Sequence, residues 1–211
     1  MVTKNRCNRQ MGGLALTTMA CIICCVSMEL PHWRVWYFQD PAVSKRSIAF
    51  VGMWRVCVFH HDENFSIIRN CHRYSYHDTF VPLDIRMIQQ LLLVASILGL
   101  VGKITTIISL WDVCMGTVQV NSTYNPFALS GILNIISSTF VFIAVLFNYV
   151  FIKRKEGIAF PPSFHMPSNP DSQETGGAMA LAIIAAILFL LSGIILLCSK
   201  IATVKPGHPD L

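Results

Sequence analysis

Four long apolar runs constrain this chain more than any other feature. They are "MGGLALTTMACIICCVSMEL" (11–30), "IQQLLLVASILGLVGKITTIISL" (88–110), "FALSGILNIISSTFVFIAVLFNYVFI" (127–152) and "GAMALAIIAAILFLLSGIILLC" (177–198). A helix needs about 20 apolar residues to cross the hydrocarbon core of a bilayer, and each run suffices. Composition agrees: 54% of the 211 residues are hydrophobic and 13% are charged, against about 25% charged in an average soluble domain. The mean hydropathy is +0.55. The reading is an integral membrane protein with four spans. The net charge of +5 has too little polar surface behind it to be a nucleic-acid footprint, so no nucleic-acid partner is expected. The lipid bilayer is the first partner.

Run one follows Lys4, Arg6 and Arg9, which is how a signal peptide begins. It is longer than a typical h-region, and "SMELPHW" is a poor cleavage site, so it reads as a retained span. Small residues recur inside the runs: Gly12, Gly13, Gly99, Gly102, Ser130, Gly131, Ser137, Ser138 and Gly193. They suit close helix packing in a compact bundle. Lys103 is the one strongly charged residue deep in a span, placed to snorkel toward a membrane face. There is no proton relay or ion ladder, which argues against a transporter. No nucleophile–base set, metal spacing or glycine-rich phosphate loop suggests an enzyme, so neither catalytic residues nor a cofactor are expected.

Four spans put both termini on one side, with loops at 31–87 and 153–176 on the other and a tail at 199–211. Cys57 and Cys71 are the two cysteines that share one polar stretch, "GMWRVCVFHHDENFSIIRNC" (52–71). If they pair, the stretch faces an oxidising compartment. The distribution of basic residues disagrees, with five on the terminal side and ten on the loop side. Counted over all loops, the positive-inside rule favours the opposite orientation. We place the termini in the cytoplasm, because the basic cluster ahead of run one often dominates and the first loop is near the length where the rule weakens. That loop looks like a small sheet: "HWRVWYF" (32–38), "SIAFVGMWRVCVFH" (47–60) and "FSIIRNCHRYSY" (65–76) are rich in β-branched and aromatic residues. "HDEN" (61–64) is a turn between two strands, and "PLDIRMIQQ" (82–90) a short helical lead into span two. The prolines of "AFPPSFHMPSNP" (159–170) leave the second loop room for at most a short edge strand. The "HHDE" run has metal-ligand residue types, but adjacent histidines on a strand point to opposite faces. A solvated turn is the default there, and no metal site is expected.

Trp33, then Gly52-Met53-Trp54, then Cys57 and Cys71, with Arg86 ahead of span two, resemble the signature of the claudins. In the second loop Phe164-His165-Met166-Pro167 resembles that family's Phe-Tyr-Asn-Pro, and Glu174-Thr175-Gly176-x-Ala178 its Glu-Phe-Gly-x-Ala. The resemblance covers nearly the whole chain. It implies a left-handed four-helix transmembrane bundle with an extracellular antiparallel sheet, four strands from loop one and one from loop two. It also implies a plasma-membrane protein of tight junctions that assembles with itself and other claudins, in cis and in trans, into strands that line or block the paracellular path.

The resemblance further implies residue roles. A Cys57–Cys71 bridge would close a 15-residue loop, which the chain-entropy model rates at about 3 kcal/mol. Trp33 and Trp54 would pack at the base of the sheet, with Arg86 bonding backbone carbonyls there. Arg69, His72 and Arg73 would stand along the path and set ion selectivity, beside Asp62 and Glu63 at the turn. The loop carries a formal charge of +2 over 31–86, so a pore, if one forms, would disfavour cations, more steeply once the histidines are protonated. Phe164, Pro167 and Glu174 would contact neighbouring chains. Asn64-Phe65-Ser66 is a glycosylation sequon on the outer side, whereas Asn121-Ser122-Thr123 lies on the inner side and should stay bare. Cys114 and Cys198 lie near the inner face as palmitoylation candidates, with free buried thiols as the alternative. Two departures stand out. Thirteen residues separate the two cysteines, more than the family pattern has, and the chain ends His208-Pro209-Asp210-Leu211 rather than Tyr-Val. Leu211 suits a PDZ pocket, but Pro209 lacks the backbone N–H that a β-strand ligand offers, which puts scaffold binding in doubt. The rival reading is an auxiliary four-span subunit of the wider peripheral-myelin-protein group, which shares Gly-x-Trp-x-x-Cys.

Overall fold

The structure, a computed structural model, describes residues 2–39, 46–61, 67–75, 77–114, 126–164 and 166–198. Four helices carry the apolar runs: α1 (Val2–Glu29), α2 (Leu83–Cys114), α3 (Pro126–Arg154) and α4 (Gly177–Leu197). All four are long and apolar enough to cross a membrane. In hydrocarbon every backbone polar group must bond internally, so helices persist here through glycine and β-branched stretches that would weaken them in water. Proline marks two starts, with Pro82 just ahead of α2 and Pro126 opening α3. α3 stops where Lys155 takes a left-handed φ of 54°. The expected short lead at 82–90 is no separate element: α2 runs unbroken from Leu83.

Each helix packs on two others, α1 and α3 both against α2 and α4. Small residues set the spacing. A Cβ on Gly99 would lie 2.7 Å from the Phe189 ring, and one on Gly193 would lie 2.8 Å from the Gly131 carbonyl oxygen. Gly12 differs, with nothing near its would-be Cβ. Polar groups of the interior also join helices. Asn134 Nδ2 donates to Thr17 Oγ1 at 3.0 Å, and Thr17 and Ser192 share a hydrogen bond of 2.6 Å, which ties α1, α3 and α4 together. Ser138 Oγ donates to the Ala186 carbonyl at 2.8 Å. Such bonds contribute about 0.6 kcal/mol each on average in membrane proteins.

The segments between α1 and α2, and between α3 and α4, meet at one end of the bundle. They form a five-stranded antiparallel sheet in the order β4-β3-β2-β1-β5. The strands are β1 (Arg34–Gln39), β2 (Arg46–Val51), β3 (Arg55–His61), β4 (Ile67–Arg73) and β5 (Ser172–Thr175). The β-rich stretch at 47–60 holds parts of two strands, broken at Gly52–Trp54 where the Gly52 N–H bonds the Arg55 carbonyl at 2.9 Å. Loop two supplies the edge strand β5. Alternation gives the sheet two faces. Trp36, Phe38, Ala49, Val51, Val56 and Val58 share the buried one, on which Phe160 meets Trp36 edge-on at 5.6 Å. Cys57, Phe59, Cys71 and Arg73 stand at register positions of the other face.

Candidate functional site: a stapled sheet and its seat on the bundle

Cys57 and Cys71 stand directly opposite each other on β3 and β4, with Cα atoms 4.0 Å apart, and are joined by a disulfide. The bridge fixes the register of the outermost strand pair. β4 is the free edge of the sheet, where a one-residue slip would exchange its two faces.

The Gly52–Trp54 turn is the sheet's seat. A Cβ at Gly52 would sit 2.6 Å from the Pro31 Cα and 2.8 Å from the Leu30 carbonyl oxygen, so only glycine lets the turn lie against the end of α1. The fully buried Trp33 donates its Nε1–H to the Ser27 carbonyl at 2.7 Å, pinning the start of the sheet to the last turns of α1. Trp54 is half-buried against the core. Tyr74 lies beneath the turn: its hydroxyl donates to the Gly52 carbonyl, and its N–H to the Trp54 carbonyl at 3.1 Å. Burial pushes the Tyr74 phenol above its ordinary pKa, with Asp84 adding to the rise and Arg34 opposing it.

Arg86 bonds backbone carbonyls, those of Val81 at 3.1 Å and Asp78 at 2.7 Å. These belong to the segment that feeds its own helix. The side chain from α2 that reaches the seat is Gln89, whose Nε2 donates to the Met53 carbonyl at 2.5 Å. Sequence reasoning missed Gln89, and it missed a stronger tie. Arg34, 1% exposed, opens β1 and turns inward; its Nη2 meets Asp84 Oδ2 of α2 at 2.8 Å, and its Nε meets Asn148 Oδ1 of α3 at 2.8 Å. One guanidinium therefore joins the sheet to two spans. A signal was available, because period two places Arg34 on the face of Trp36 and Phe38, and a cation on a core face needs a partner.

The residues expected along the path do not share a surface. Arg73 is exposed and stands on the disulfide's face, and Arg69 occupies a register position of the same face. His72 falls on the other face, half-buried, with its ring 4.4 Å from that of Phe164. Consecutive strand residues point to opposite sides, which separates His72 from the face on which Arg73 stands. Arg55 lies on the arginine face opposite Arg73 and is paired with Glu29 at 2.8 Å. Phe164, expected to meet another chain, is buried instead among Phe80, Phe160 and His72. It holds loop two onto the sheet. Pro167 is half-buried and Glu174 exposed, the latter accepting from the Tyr37 hydroxyl at 3.3 Å. Loop two closes against β1 at Gly176, where a Cβ would lie 2.0 Å from the His32 carbonyl oxygen. Asp62, Glu63, Asn64, Asn121, His165 and the residues from 199 to 211 lie outside the described residues, as do the side chains of Arg69 and Cys114. Cys198 is exposed at the end of α4.

Four apolar helices capped at one end by a disulfide-stapled sheet define a four-span membrane protein of the claudin-like fold. The family model for PMP-22/EMP/MP20/Claudin tight-junction proteins matches residues 18–198, and the chain belongs to that family. No curated protein matches the chain.

Proposed function

We propose that this protein is a structural subunit of claudin-type strands, with the sheet outside the cell and both termini in the cytoplasm. It would pair with itself or with other claudins in cis and in trans at tight junctions, and it would act as a barrier that disfavours cations. Within the family we read it as a divergent member, most like the one numbered thirty-four. The observation that carries the functional reading is the disulfide's face of β3 and β4, exposed at Cys71 and Arg73. There the disulfide holds Arg73 and the backbone of Arg69 in fixed register beside Arg55. A confined path walled by one sign of charge excludes ions of that sign. The disulfide itself supports an outward-facing sheet, since such bonds persist in oxidising compartments. The test is expression in junction-deficient epithelial cells. The sodium-to-chloride permeability ratio should fall on expression and recover in Arg73→Glu; an unchanged or raised ratio on expression refutes the charge reading.

A second reading, an auxiliary subunit of the wider four-span group, is favoured by the inward turn of Phe164, which removes one expected contact to a neighbouring chain. A protein of that kind would co-purify with a different membrane protein and leave the permeability ratio unmoved.

A further inference from the structure

A cavity of about 380 Å³ opens where the end of α3 meets β5, away from the disulfide and the seat. Tyr149 and Ile152 form its α3 side, Lys153 and Lys155 its rim, and Glu174 and Thr175 its β5 side. Its depth in the membrane follows from the sequence of α3. No charged residue occurs between Phe127 and Ile152, a stretch of helix about 39 Å long, against a hydrocarbon core of about 30 Å. Lys153 is the first charge past that stretch, so the rim lies at the level of lipid headgroups. Tyr149 has the residue type enriched at that level, and the Lys153 Nζ lies 5.4 Å from the centre of its ring. Below the rim, Phe142, Leu146 and Tyr149 are 39%, 58% and 42% exposed. Their spacing of four and three residues makes one apolar stripe running down from the cavity.

Two ammonium groups above an apolar stripe match a phosphate above an acyl chain. The cavity also offers an acceptor, because the Glu174 carboxylate takes one bond from Tyr37 and has a second oxygen for a donor. We propose that this cavity holds a phospholipid with an amine-bearing headgroup. Its phosphate lies between Lys153 and Lys155, its amine at Glu174, and one acyl chain along Phe142, Leu146 and Tyr149. The volume falls in the range of small-molecule sites. A free phosphate would satisfy the lysines but leave the stripe unused, which is what separates the two sources.

Native mass spectrometry of the full chain in a non-ionic detergent tests this, with phosphatidylethanolamine or its soluble headgroup phosphoethanolamine added. The wild-type chain should retain the lipid and not the soluble headgroup. Lys153→Ala/Lys155→Ala should lower the lipid-bound fraction at least fivefold, and Lys153→Arg/Lys155→Arg should restore it. Arg154→Ala, which removes an exposed charge outside the cavity lining, should leave retention within twofold. Equal retention in the double alanine variant overturns the proposal, as does an equal loss in Arg154→Ala. Retention of phosphoethanolamine as strong as that of the lipid also overturns it, and this arm needs no variant to fold.

Discussion

Replacing Asp84 by asparagine should be among the most damaging single changes in the region where sheet and bundle meet. The substitution keeps size and shape but leaves the Arg34 charge, 1% exposed, with neutral amide oxygens and no carboxylate as partners. At 2.8 Å and an effective dielectric constant of 20, the pair attracts by about 6 kcal/mol, most of which offsets the desolvation of both groups. Removing one member exposes that desolvation cost, about 3–5 kcal/mol. For a chain of this length each kcal/mol moves the melting temperature by about 2–4 °C, so a fall of about 10 °C is expected. The assay is thermal unfolding of the full chain in detergent, followed by the loss of the monodisperse peak in size-exclusion chromatography. Arg34→Leu/Asp84→Leu should recover most of the loss, because exchanging both members of a buried pair for apolar groups is often neutral. The reasoning is refuted if Asp84→Asn melts within about 2 °C of wild type, or if the double variant is as unstable as the single one.

Three further outcomes follow. Cys57→Ser/Cys71→Ser should cost about 3 kcal/mol, the chain-entropy value for a 15-residue loop, read as an earlier midpoint in denaturant with a slope no shallower than wild type, since the freed denatured state exposes more surface. The contribution of Tyr74 to stability should be flat in pH below about 10 and fall above it. The folded-state pKa of Tyr74 is raised by burial, so its contribution is full below the unfolded pKa and is lost as pH rises toward the folded one. Melting temperatures between pH 8 and 11 check this, and Tyr74→Phe should flatten the fall. In monolayers, Arg73→Glu should raise the sodium-to-chloride permeability ratio while His72→Ala leaves it nearly unchanged, since His72 faces Phe164 rather than the arginine face.

The spans were legible because hydrocarbon demands long charge-free helices, and runs of that kind need no tertiary information to be found. The cysteine pair and the Gly52–Trp54 turn were legible through resemblance, and the geometry supplies the reason for Gly52 in its contact with Pro31 and Leu30. Side-chain direction was the part less easily read. Arg69, His72 and Arg73 are close in sequence, yet a strand separates the histidine from the arginines. Arg86 drew attention by motif, while Gln89, one turn further along α2, reaches the seat. The aromatic cluster of Phe80, Phe160 and Phe164 depends on how loop two folds back over the sheet, which no local periodicity encodes. Arg34, Asp84 and Asn148 are 50 and 114 residues apart along the chain. The inward register of Arg34 could have raised the question, but only the packed bundle supplies the partners.

The proposed function requires that this chain form intercellular strands. Freeze-fracture electron microscopy of junction-deficient fibroblasts expressing only this protein tests it most directly. Continuous intramembrane strands at cell contacts, lost in Cys57→Ser/Cys71→Ser, are the predicted result. Surface expression at contacts with scattered particles and no strands would contradict the claim and favour the accessory-subunit reading.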